Sequence, residues 1–145
     1  MQVKGLPVVL IAAGVVQVAC QLFKLIYYSI RDGKLEWGYL TTAGGIPSAH
    51  SAFVTALTVL IGMKDGIGSD IFAVTGAFSA IVIFDAYRLR GHVQNLSKRF
   101  NRVLDQLNMH EETRISEMIG HSVPEIATGM LVGGAFALIA SLVIS

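Results

Sequence analysis

The stretch GGIPSAHSAFVTAL, Gly44–Leu57, joins two kinds of sequence. Two glycines and a proline, residues that punctuate chain direction, carry Ser48 and His50 into an apolar run that continues to about Met63. A titratable imidazole therefore stands at the mouth of an apolar helix. Whether that helix belongs to a soluble core or to a membrane decides the fold, and the rest of the chain supplies the answer.

The chain has 145 residues, 53% of them hydrophobic and 14% charged, where a soluble domain carries about 25% charged residues. Mean hydropathy is +0.62. The net charge of +1 gives no sign of nucleic-acid binding, and a single cysteine, Cys20, excludes an intramolecular disulfide framework. Lys4 before an apolar run resembles an export signal. That run extends past Cys20 to about Ile30, however, beyond the roughly 7–15 residues of a signal core, and Gln17 disfavours lipoprotein processing at Cys20.

Crossing about 30 Å of hydrocarbon takes about 20 helical residues. Spans are expected at about 6–30, 47–63, 71–87 and 123–144, in one domain over 1–145. Between the last two, Val93, Leu96, Phe100, Val103, Leu104 and Leu107 recur at helical spacing among Lys98, Arg99, Arg102 and Asp105. This predicts an amphipathic helix at about 92–109, lying on the membrane or capping the bundle. The expected fold is an all-α integral membrane protein, a bundle of about four transmembrane helices plus a cytoplasmic amphipathic helix. Alternation puts Arg31, Lys34, Arg88, Arg90, Lys98, Arg99, Arg102 and Arg114 on one side, against Lys4 and Lys64 on the other. That bias places the larger loops in the cytoplasm and both termini outside; the expected location is the cytoplasmic (inner) membrane.

Alternation also brings polar residues to one depth. Gln17, Gln21 and Lys24 form an inward stripe near the cytoplasmic end of the first span. His50 begins the second, Asp85 ends the third ahead of Arg88 and Arg90, and His121 and Glu125 begin the fourth. Plainer roles exist for each. Lys24 can snorkel to the headgroups, Ser122-Val-Pro-Glu125 fits a capping box, Arg88 reads as a topology determinant, His92 and His110 as loop residues, and Gly129 and Gly133 as helix packing. Two histidines, each beside a helix start, point to a site.

Helix N-termini favour an anion, Gly44 and Gly45 allow close backbone approach, and Lys24 and Arg90 add positive charge. A phosphate suits such a pocket, with one histidine attacking phosphorus and the other protonating the leaving oxygen. The competing chemistry is a divalent metal held by Asp85, Glu117, Glu125 and the histidines, against which the basic residues count.

At these residues the chain resembles the divergent PAP2 family, small membrane proteins related to type 2 phosphatidic acid phosphatases and vanadium-dependent haloperoxidases. The matching pieces are Lys24, KLEW (Lys34–Trp37), GGIPSAHSAFVTAL, FDAYRLR (Phe84–Arg90) and EMIGHSVPEIATG (Glu117–Gly129). The resemblance implies a metal-independent phosphatase that passes through a phosphohistidine and uses no cofactor. It makes His121 the nucleophile, Glu125 its carboxylate partner, His50 the general acid and Ser48 a phosphate ligand. Lys24 and Arg90 are implied as the basic residues of the site, with Gly45 and Asp85 in the same substrate-binding pocket.

The expected partners are a lipid phosphate substrate and the surrounding membrane lipids, with no nucleic acid; assembly with a second copy stays open. Two other readings use the same cluster: a non-catalytic lipid-phosphate-binding scaffold, and a metal-dependent membrane enzyme or ion carrier. The orientation is directly testable. With Cys20→Ser as background, a cysteine introduced by Arg99→Cys should resist membrane-impermeant thiol reagents in intact cells and react after permeabilisation; labelling from outside would invert the topology.

Overall fold

The computed structural model describes residues 7–40, 44–107, 114–115 and 121–144. Among the described residues there are five α-helices: α1 (Val8–Asp32), α2 (Ala49–Asp65), α3 (Asp70–Phe84), α4 (Arg90–Gln106) and α5 (Val123–Ile144). A 3₁₀ turn occupies Trp37–Leu40 and a π-helical turn Asp85–Leu89. No strand occurs among the described residues.

Helix α2 is the hub, packing against α1, α3 and α5. Its Ala49, Ala52, Ala56 and Leu60 form one core with Ala12, Ala13, Val16 and Cys20 of α1 and Ala137 of α5. Small side chains at these places let helix axes approach closely, the usual basis of helix association where lipid removes the hydrophobic driving force. Glycine matters most on α5. A Cβ on Gly129 would lie 2.4 Å from the Ser48 carbonyl oxygen, and one on Gly133 would lie 2.2 Å from that of Ala52. The α2–α3 contact is polar instead: the Thr58 and Ser79 hydroxyls both donate to the Val54 carbonyl, at 2.8 and 3.1 Å.

Caps match the sequence. Ser48 Oγ accepts from the Ser51 N–H at the start of α2, and Ser69 Oγ from the Phe72 N–H at the start of α3, each at 3.3 Å. Gly33, at φ 67°, ends α1 in the left-handed conformation.

Helices α1 and α5, and the 37-residue run Asp70–Gln106, are long and apolar enough to cross a membrane. At 17 residues α2 is shorter, about 25 Å at 1.5 Å per residue, and its three neighbours enclose it. The amphipathic segment differs from expectation. It is no separate helix: α3 passes through the π turn directly into α4, with no break in helical backbone. The buried face of α4 is Ser97, Asn101 and Leu104, while Val93, Leu96, Phe100, Val103 and Leu107 are exposed. Asn101 explains that choice, since its amide donates to the Ile115 carbonyl at 2.9 Å and accepts from the Ile115 N–H at 3.1 Å. Positions 108–109 of the expected segment lie outside the described residues.

The α2–α5 contact makes a paired prediction. Gly133→Ala forces backbone apart and should cost about 1–3 kcal/mol. Gly134→Ala meets nothing within 4 Å and should be neutral or stabilising by up to about 1 kcal/mol. Unfolding in mixed micelles, both variants side by side, measures the difference.

Candidate functional site

One end of the bundle collects the last turns of α1, the start of α2, the π turn and the start of α5. Lys24, only 1% exposed, does not snorkel; its ammonium donates to the Gly44 carbonyl at 3.1 Å. One turn on, the Tyr28 hydroxyl accepts from the Ile46 N–H at 3.3 Å. Gly45 between them has φ 92°, and a Cβ there would lie 2.7 Å from the Tyr28 hydroxyl oxygen, so no other residue suits the position. Lys24 and Tyr28 thus hold the Gly44–Ile46 turn that leads into α2.

The turn delivers Ser48 to α5. The Ser48 N–H donates to the Glu125 carbonyl at 3.0 Å, and Ser48 Oγ accepts from the Ser51 hydroxyl at 2.9 Å as well as from its N–H. With both lone pairs occupied, Ser48 retains its hydroxyl proton as a donor.

Glu125 has two tasks with one oxygen. Oε2 accepts from the Ser122 N–H at 3.2 Å, half of a capping box, and lies 3.0 Å from His121 Nδ1. Capping and orientation, alternatives in the sequence, coexist. A carboxylate only accepts, so Nδ1 carries a proton, and in the neutral ring the lone pair is at Nε2. The His121 side chain is wholly covered, and its N–H donates to the Ala86 carbonyl at 3.3 Å, tying α5 to the π turn. Lys24 lies within electrostatic reach of Glu125, so the cluster contains a cation, a carboxylate and an oriented imidazole.

The remaining candidates take different places. His50 is half-buried in the first turn of α2, and Asp85 half-buried at the first residue of the π turn. Arg90 begins α4, but its side chain lies outside the described residues, as do Glu117 and His110. Arg31 stays on the rim, 4.6 Å from the centre of the Tyr28 ring and paired with Asp32 at 2.7 Å. The Tyr39 hydroxyl donates to Asp32 at 2.5 Å, and that bond pushes the phenol up to about 12. Among the described residues, no group of three or more His, Cys, Asp or Glu side chains is placed to hold a metal ion.

The structure gives His92, Arg88 and Tyr28 places at this end that the sequence pattern does not assign them. His92 is on helix α4, not in a loop, and with Arg88 it lines a polar cleft beside His121. Their i, i+4 spacing would have shown this had the helix been taken to continue through Arg88. Tyr28 was not singled out at all, although it stands four residues after Lys24 and extends the Gln17–Gln21–Lys24 stripe. An apolar cavity of about 340 Å³ also reaches this end, lined by Cys20, Phe23, Ile46, Pro47, Thr128 and Val132.

Fold and site together define a multi-pass helical membrane protein with an oriented histidine, a buried lysine and a carboxylate at one end of its bundle. Residues 7–136 match the divergent PAP2 family, to which this chain belongs. The chain is similar to a Bacillus subtilis (strain 168) protein described as uncharacterized membrane protein YuiD, 32% identical over 133 residues, with 82% of this chain and 84% of that protein covered. No solved structure matches the chain.

Lys24 gives the test of this geometry. Lys24→Met keeps the volume but leaves the Gly44 carbonyl without its donor, which should cost about 1–3 kcal/mol and speed amide exchange at Gly45 and Ile46. Exchange rates equal to the parent's would show that Lys24 does not hold the turn.

Proposed function

We propose that this protein is a phosphatase that hydrolyses a phosphomonoester or pyrophosphate of a membrane lipid, at the cytoplasmic face. The observation that carries the reading is the 3.0 Å contact of His121 Nδ1 with Glu125 Oε2, which orients an imidazole with its lone pair on Nε2. Nε2 attacks phosphorus, an N–P bond forms and the P–O bond to the lipid breaks. His50 gives its proton to the departing oxygen. Water then attacks the phosphoimidazole, passing its proton to His50 while the N–P bond breaks. Inorganic phosphate leaves and both histidines return to their starting states.

Glu125 stabilises the positive charge that His121 acquires on attack, as the carboxylate does in a Ser-His-Asp arrangement. Lys24 and Ser48, almost wholly enclosed, keep the pair in place from behind. A lipid is favoured because the polar end borders apolar cavities within helices of membrane-spanning length. The family membership supports kinship with phosphatases.

Purified protein in detergent, given phosphatidate, phosphatidylglycerophosphate and polyprenyl pyrophosphate with excess EDTA, should release phosphate. His121→Ala should abolish turnover and the acid-labile phosphoenzyme. Glu125→Gln should slow turnover by about 10²-fold or more, on the scale of a positioned acid–base group. His50→Ala should harm substrates with poor leaving groups most and an activated aryl phosphate least. Full activity in His121→Ala, or activity that vanishes with EDTA and returns with a divalent ion, would refute the mechanism.

A further inference from the structure

Beside His121 the π turn and the start of α4 enclose a cleft of about 240 Å³, several times the ~30 Å³ that a water molecule takes up in the liquid. Arg88, Gly91, His92 and Asn95 share one helical face at i, i+3, i+4 and i+7, and Gln94 and Tyr87 complete the wall. The side chains are a guanidinium, an imidazole, two amides and a phenol; no carboxylate occurs among the described residues that line it. Gly91 leaves the floor open, since a Cβ there would meet nothing within 4 Å. This is an inventory of hydrogen-bond donors suited to an anion, with arginine able to grip two oxygens at once.

Next to the cleft runs a groove of about 430 Å³ with the opposite character. Ala80, Ile83 and Phe84 of α3 face Val123 and Ile126 of α5 across it. Tyr87 lines both spaces, and Val123 follows His121 by two residues. The His121 N–H bond to Ala86 keeps the two helices in this register. Donor-rich cleft, shared tyrosine and apolar groove form a continuous path for a molecule with an anionic head and a hydrocarbon tail.

We infer that the cleft receives the phosphoryl head of a lipid, held by Arg88, His92, Gln94 and Asn95, and that one of the lipid's chains lies in the groove between α3 and α5. The inference rests on the reading of His121 as nucleophile, because that reading makes the anion a phosphoryl group. It moves head-group binding from Lys24 and Ser48, which are enclosed, to the π turn and α4, where the Arg88 and His92 side chains are exposed.

The test measures binding to purified full-length protein by calorimetry, with orthovanadate as a head alone and phosphatidate in nanodiscs as head plus chain. Arg88→Gln should weaken both by about tenfold or more, and Arg88→Lys should recover part of the loss. Gly91→Leu removes no polar group, adds a Cβ that meets nothing within 4 Å and extends apolar atoms into the cleft, and should weaken both probes equally. Ala80→Trp fills the groove and should weaken phosphatidate by about tenfold while leaving vanadate within about twofold. Parent-like vanadate binding in both Arg88→Gln and Gly91→Leu would overturn the cleft, and parent-like phosphatidate binding in Ala80→Trp would overturn the groove. The expected binding pattern without turnover would uphold this inference and refute hydrolysis. A parent that binds neither probe would refute both.

Discussion

Because Gly129 and Gly133 have no side chains, α5 rests directly on the carbonyls of Ser48 and Ala52, and the polar end of the bundle is aligned by that contact. Backbone against backbone leaves little freedom to slide: a shift of one residue would put Thr128 or Val132 where only glycine fits. The register allows the Ser48 N–H to reach the Glu125 carbonyl, which sets the first turn of α5 against the first turn of α2. Glu125 then has a defined position, and His121 is positioned from Glu125. An apolar contact in the middle of the bundle therefore controls the geometry of charged groups at its end.

Burying Lys24, and half-burying Glu125, at membrane depth is unfavourable unless each is compensated. The compensation is local. Lys24 has the Gly44 carbonyl and the opposite charge of Glu125, and Glu125 has two donors on a single oxygen. The Ser122 N–H it accepts is one of the unsatisfied donors that any helix start must provide for. The helix N-terminus thus supplies part of the site's rigidity without an extra residue, and the imidazole is oriented by a carboxylate that secondary structure already holds.

Much of this was legible in the sequence, and the reasons differ by residue. Helix α5, Val123–Ile144, coincides with the expected span because Ser122-Val-Pro-Glu marks its start and an unbroken apolar run follows. The convergence of Lys24, His121 and Glu125 follows from alternation of spans, which needs no side-chain detail. The passage from α3 to α4 was not legible. The apolar run stops near Phe84 and arginines follow, which reads as a break, whereas the π turn inserts extra backbone and presents a new face without ending the helix. His92 is a helix residue and not a loop residue for that reason, since the face it shares with Arg88 exists only if the helix continues. Tyr28 was missed because its role depends on the path of the Gly44–Ile46 turn, a tertiary property that periodicity does not contain.

The two halves of the site meet different demands. On one side, Lys24, Ser48 and His121 are enclosed, and half-buried Glu125 is bonded to His121 and Ser48, an arrangement that favours precision. On the α4 side, Arg88 and His92 are exposed on a helix whose buried face is elsewhere, an arrangement that favours capture. A protein acting on a molecule anchored in the bilayer needs both, because the head must be gripped from water while its chain stays in lipid. The π turn joins these halves. It sits where the lipid-facing helix α3 becomes the amphipathic helix α4, and it places Tyr87 between the apolar groove and the polar cleft. The π turn offsets the face of α4 from that of α3, and Arg88, His92 and Asn95 line the cleft at that offset together with His121. The local departure from α-helical geometry is thus what turns a membrane span into one wall of a site.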